Sequence, residues 1–124
     1  MLNIAKIEKI AMLDCKNKEN EDKLNNILYK IPFMKKYNND ASVDDMFEVL
    51  LKMFEKTNLG ISYIFMTKGN KAGISASILD WNENADRIST VYGMKVSEIY
   101  KKAIVYIYYY AKMKNSQEEN AWKK

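Results

Sequence analysis

The stretch ISYIFMTKGNKAGISASILDW, Ile61 to Trp81, decides how the chain is read. Its apolar residues recur at every second position on both sides of KGNK, the period of strands whose side chains alternate between two faces. Gly69 and Asn70 suit a two-residue turn with positive φ, so an antiparallel hairpin is expected. Pairing Lys68 with Lys71 sets its register. Ile61 then faces Ile78, Tyr63 faces Ala76 and Phe65 faces Ile74 on a core side, with Phe65 and Ile78 buried. Ser62 with Ser77, Ile64 with Ser75 and Met66 with Gly73 make a flatter, serine-bearing side. After NENAD, the segment RISTVY (Arg87–Tyr92) supplies a third strand, expected to set Ile88 opposite Ile78, Thr90 opposite Ala76 and Tyr92 opposite Ile74.

Upstream of the hairpin the period changes to that of helices. Ser42 can cap a helix with Asp45 three residues on, and Val43, Met46, Phe47, Leu50, Leu51 and Phe54 form its expected buried stripe. Asn58 and Gly60 end it. Ile4, Ile7, Ile10, Ala11 and Leu13 predict a first helix. Leu24, Ile27, Leu28 and Ile31 predict a short second one after the polar break NKENED (Asn17–Asp22), stopped by Pro32. Residues 33–41 read as a loop.

Downstream lies AIVYIYYYAK (Ala103–Lys112), apolar almost without relief. Nine apolar residues flanked by lysines fall far short of the ~20 of a membrane helix. The periodicity from Val96 to Met113 predicts a soluble helix with Val96, Ile99, Tyr100, Ala103, Ile107 and Tyr110 facing inward. Lys101, Val105, Tyr108, Tyr109 and Lys112 then form an outer face carrying aromatics and lysines, the candidate partner-binding surface. The whole is an α+β fold, a three-stranded antiparallel meander packed against helices in the order α-α-α-β-β-β-α. A single domain over 1–114 is expected, with a polar tail at 115–124.

Composition bounds the chemistry. There is no histidine and one cysteine among 124 residues, which removes histidine-based triads and histidine-ligated metal sites and leaves Cys15 without a disulfide partner. Lys6, Glu8 and Lys9 interrupt any early apolar run, so a cytoplasmic protein without a secretory signal is expected. Asp44 with Asp45, and Asp80 with Glu83, are the paired carboxylates. The first pair fits a helix first turn and the second flanks a turn, so neither is expected to be catalytic. Cys15 reads as a packed thiol. The loop KGNKAG (Lys68–Gly73) resembles part of the pyrophosphate loop of acetyl-coenzyme A transferases, but it leads into a strand and not a helix N-terminus, which favours a hairpin turn. No enzyme activity, cofactor or metal is expected. The net charge of +4 is concentrated toward the C-terminus, where residues 91–124 hold seven lysines against three acids. A small basic nucleic-acid-binding module is therefore the alternative function.

From about Ile31 to Lys114 the order of elements, with SVDDMFEVLLKMFEK, GISYIFMT, GISASILDW and VYGMKVSEIYKKAI, resembles small phage proteins of the ABA-sandwich type. Lys95 stands where that pattern has a Ser or Thr cap, and residues 1–30 have no counterpart in it. The resemblance, shared with small anti-CRISPR proteins, implies a phage or prophage inhibitor that binds and blocks a host defence nuclease, acting on a host protein or ribonucleoprotein as a monomer or homodimer. RNA or DNA contact through the lysines is the alternative. The positive charge sets the chain apart from acidic DNA mimics.

Overall fold

The structure, a computed structural model, describes residues 4–68, 71–84 and 86–114. Four helices and three strands follow in the expected order: α1 (Ile4–Ala11), α2 (Lys18–Leu28), α3 (Val43–Thr57), β1 (Leu59–Lys68), β2 (Lys71–Asp80), β3 (Asp86–Gly93) and α4 (Val96–Lys114). The fold is α+β with one antiparallel sheet in the order β1-β2-β3. No helix is long and apolar enough to cross a membrane, among the described residues. The tail expected at 115–124 and the turn residues Gly69 and Asn70 fall outside those residues.

Local signals account for the helix ends. The Ser42 hydroxyl accepts from the Asp45 N–H at 3.0 Å while the Asp45 carboxylate accepts from the Ser42 N–H at 2.9 Å, a closed capping box at the start of α3. Asn58 ends that helix at φ 57°, a left-handed position that asparagine tolerates. The polar run taken as a break is helical instead. Asn17 caps α2 by accepting from Glu19 N–H at 2.8 Å, and Glu19 and Glu21 lie in the first turn, where the helix dipole favours them. A first turn held by cap and charge needs no apolar residue.

The hairpin has the expected register at every one of its pairs, from Leu59↔Asp80 to Lys68↔Lys71. Ile74, Ala76 and Ile78 are buried and Ser75 and Ser77 are only partly so, as the alternation requires. Phe65 departs from expectation: it is 73 % exposed, and Tyr63 is 38 % exposed. Both lie on the correct face, but β1 is an edge strand, and its contact with the helices above it is sparse. β3 departs too. Ile78 pairs with Ser89, Ala76 with Val91 and Ile74 with Gly93, one residue from the expected register, because a bulge between Ile78 and Leu79 absorbs an extra residue. The slip exchanges the faces, so Val91 is core and Tyr92 lies on the open side. There Gly73 makes room for it: a Cβ at Gly73 would collide with the Tyr92 hydroxyl.

The last helix is the centre of the molecule. α1, α2 and α3 pack around α4, which also lies on β2 and β3. Ala103 to Tyr108 are therefore all buried, where one stripe was expected. In α3 the buried stripe is Met46, Val49, Leu50 and Met53; Val43, Phe47 and Leu51, expected inside, are exposed, and Phe54 is half-buried. Only one flank of α3 can meet α4, and its apolar residues exceed what that flank holds.

Two buried charges tie the elements together. Lys102, 2 % exposed, donates from Nζ to the Leu13 carbonyl at 2.6 Å, the Tyr92 carbonyl at 2.7 Å and Glu98 Oε2 at 2.8 Å, which uses all three ammonium protons. One side chain thus joins the end of α1, the end of β3 and α4. Replacing it leaves those acceptors buried and unpaired, so Lys102→Met should lower unfolding free energy by ~3 kcal/mol or more in denaturant titration. Asp80 is fully buried and accepts from Lys114 Nζ at 2.8 Å and Asn82 N–H at 2.9 Å. Burial alone would raise its carboxyl, but these bonds outweigh that and hold it below the ordinary value of 3.8. A depressed folded value means that the stabilisation is whole above 3.8 and is lost as pH falls through the folded value. The stability gap between wild type and Asp80→Asn, followed by denaturation midpoints, should therefore be constant near neutrality and shrink below about pH 4.

Candidate interaction surface

The outer face expected on the last helix is not open. Val105 is 1 % and Tyr108 7 % exposed, Lys101 and Tyr109 are half-buried, and only Lys112 is exposed. The reason is that α1, α2 and α3 all pack against α4 in addition to the sheet, so little of the helix is left free. Tyr108 meets Tyr109 edge-to-face at 5.0 Å and lies under the Lys112 ammonium at 5.8 Å from its ring centre. Burial raises both tyrosine hydroxyls, as expected of rings withdrawn from water. Val105 and Tyr108 belong to the structural interior.

The exposed aromatic surface lies elsewhere. Phe47, Tyr100, Tyr63 and Phe65 form a continuous row, with ring centres 6.3 Å apart from Phe47 to Tyr100, 6.5 Å from Tyr100 to Tyr63 and 6.1 Å from Tyr63 to Phe65. The last two contacts are edge-to-face, the arrangement that ring quadrupoles favour. Val43, Phe47 and Leu51, spaced four apart on α3, supply one side of the patch and are each more than 40 % exposed. Tyr100 is its anchor at 7 % exposure. Its hydroxyl is pushed up to about 12, first by burial and then by the Tyr63 hydroxyl and the Asp44 carboxylate, so it stays protonated and works as an apolar body with a fixed polar tip. Asp44, Glu48 and Lys52 occupy the neighbouring row of α3, two acids and one base beside the patch.

A separate cavity of about 290 Å³ opens where α2 meets the start of α4, lined among others by Cys15, Lys16, Glu21, Ser97, Glu98 and Lys101. It gathers Lys101 from the expected site. Its thiol is not activated: burial raises Cys15, outweighing the opposing pull of Lys102. The Glu98 carboxylate in its wall is engaged by Lys102 and by the Met94 N–H at 3.1 Å. Among the described residues no three carboxylate or thiol side chains converge to hold a metal ion.

No protein-family model matches the chain, and neither a curated protein nor a solved structure is significantly similar to it. Its function is therefore argued from the surface itself. Sequence reasoning missed the patch because Phe47 and Leu51 were assigned to the core. The signal was present in the excess: Val43 to Phe54 holds eight apolar residues, more than one helix flank can bury.

The two aromatic sets should separate in stability measurements. Tyr108→Ala should cost ~3 to 5 kcal/mol, as truncation of a buried ring does. Phe47→Ala, which removes a half-exposed ring, should cost about 1 kcal/mol. Equal losses on urea denaturation would place both residues in the core.

Proposed function

We propose that this protein works by binding another protein, and that the row Phe47, Tyr100, Tyr63 and Phe65, with Val43 and Leu51, is the contact surface. The observation that carries the proposal is the exposure of five large apolar side chains around one buried tyrosine in ring contact with two of them. Contiguous exposed apolar surface costs solubility, and on small proteins such patches commonly mark interaction sites. Aromatic rings flanked by near-neutral contacts are the usual centres of binding energy. The partner class proposed first is a host defence nuclease of the CRISPR type, blocked by occupation and not by chemistry. That part of the proposal draws on the resemblance of the element order to small phage inhibitors. Nucleic-acid binding is the less favoured reading, because the α3 row bordering the patch holds two acids, Asp44 and Glu48, against one base, Lys52, which is no basic patch to attract phosphates.

The test is capture of the defence complex on immobilised protein. Phe47→Ala with Leu51→Ala should weaken capture about 30-fold or more, the loss of a hot-spot residue or two, while the variant still unfolds cooperatively. Raising salt should change capture little, whereas phosphate-driven binding falls steeply. Undiminished capture by the double variant would remove the patch from the proposal.

A further inference from the structure

We propose that the outer edge of β1 pairs antiparallel with β1 of a second copy of this chain, about a two-fold axis normal to the sheet, giving one six-stranded sheet. The proposal uses the backbone edge of the strand and does not depend on the identity of any target bound by the aromatic row.

The two edges of the sheet are treated differently. β3 is guarded: it carries Asp86 and Arg87, its register is broken by the bulge at Ile78 and Leu79, and α1 packs beside it. These are devices that keep edge strands from pairing. β1 has no bulge and no charge before its last residue, Lys68, although α3 packs beside it as α1 does beside β3. Leu59 to Thr67 contains no charge and no proline, its ten pairs with β2 run without a shift, and among the described residues no strand hydrogen-bonds its other side. Ser62 to Phe65 is exposed on both faces of the sheet in succession. A long, regular, uncharged edge presents a row of unpaired N–H and C=O groups shaped to receive a strand.

The strand is also complementary to itself. A two-fold axis normal to the sheet keeps each face on its own side, so pairing must match residues of the same parity. Centred on Ile64, it sets Ile64 against Ile64 of the second copy on the open face and Tyr63 against Phe65 of the second copy on the helix face. Aromatic and branched cross-strand pairs of this kind stabilise antiparallel ladders. Lys68 then faces Gly60 of the second copy, so no like charges are opposed. Tyr63, Ile64 and Phe65 leave 38, 61 and 73 % of their surface exposed. At ~150–250 Å² per large side chain this is roughly 350 Å² of apolar surface per copy, before the backbone is counted. A standard interface takes ~800 Å² per partner, so the dimer is of the reversible class. In it the Tyr63 and Phe65 ends of the two aromatic rows meet across the axis, while Phe47 on α3 lies outside the pairing.

Sedimentation equilibrium of the full chain, from low micromolar to near-millimolar concentration, tests the pairing. Wild type should shift with concentration from 14.5 kDa to twice that mass. Ile64→Lys, which alters a side chain 61 % exposed on the face away from the helices, should remain at the single mass while keeping its circular-dichroism spectrum. Phe47→Ala should dimerise as wild type does even where it no longer captures a target, which separates this proposal from the function proposed above. Hydrogen exchange of wild type supplies a reading free of mutation: β1 amides should gain protection as concentration rises. A wild type that stays at the single mass throughout overturns the proposal. So does an Ile64→Lys chain that dimerises normally, or a dimer whose β1 amides gain no protection.

Discussion

The constraint on which the structure depends is that α4 is apolar on every side. A helix with Ile104, Val105, Tyr106, Ile107 and Tyr108 in succession has no face that can be left in water, so it must be enclosed. The chain meets this by laying the helix on β2 and β3 and wrapping the remaining sides with α1, α2 and α3. The N-terminal third of the sequence is thereby explained. Its two short helices are too short to be stable alone and take their stability from covering α4.

Enclosure of one helix by four partners creates a problem at its N-terminal end, where three chain segments converge with unpaired carbonyls. Lys102 answers it. A single ammonium bonded to the Leu13 and Tyr92 carbonyls and to Glu98 satisfies three acceptors in a place water does not reach. At the other end the buried Asp80 pairs with Lys114, whose side chain is 41 % exposed, between β2 and the last turn of α4. Buried ion pairs of this kind add little net stability over apolar replacements but are strongly destabilising to break singly. Their effect is to hold α4 in one position along the sheet.

What the helices cover determines what they leave bare. α4 lies over β2 and β3, so β1 projects beyond it, and α3 leans across the gap with one flank turned to solvent. The aromatic row occupies that projecting corner. Its rings follow the two elements that meet there, and Tyr100 from α4 bridges them. The surface proposed for binding and the strand edge proposed for pairing both arise from the same off-centre placement of the central helix.

Element order, the hairpin register and the capping box of α3 were legible in the residues, because each is set by neighbours within a few positions: a Gly-Asn turn, a period of two, a Ser with an Asp three residues on. Burial was legible for residues central to the packing, as for Ile78 in the sheet and Leu50 and Ile107 on the helices, and failed at the periphery, where Phe65 keeps its expected partner Ile74 and is still exposed. The bulge that flipped β3 was not legible, because Ile88 and Val91 both suit a core position and local pattern does not choose between them. Nor was the fate of Tyr108 or Phe47. Each is an apolar residue on an amphipathic helix, and the tertiary packing alone settled which was covered: α4, packed by three helices and the sheet, has Tyr108 buried, while Phe47 on α3 is left 47 % exposed. Periodicity assigns a face to a residue, but only the docking of distant segments decides whether that face meets protein or water.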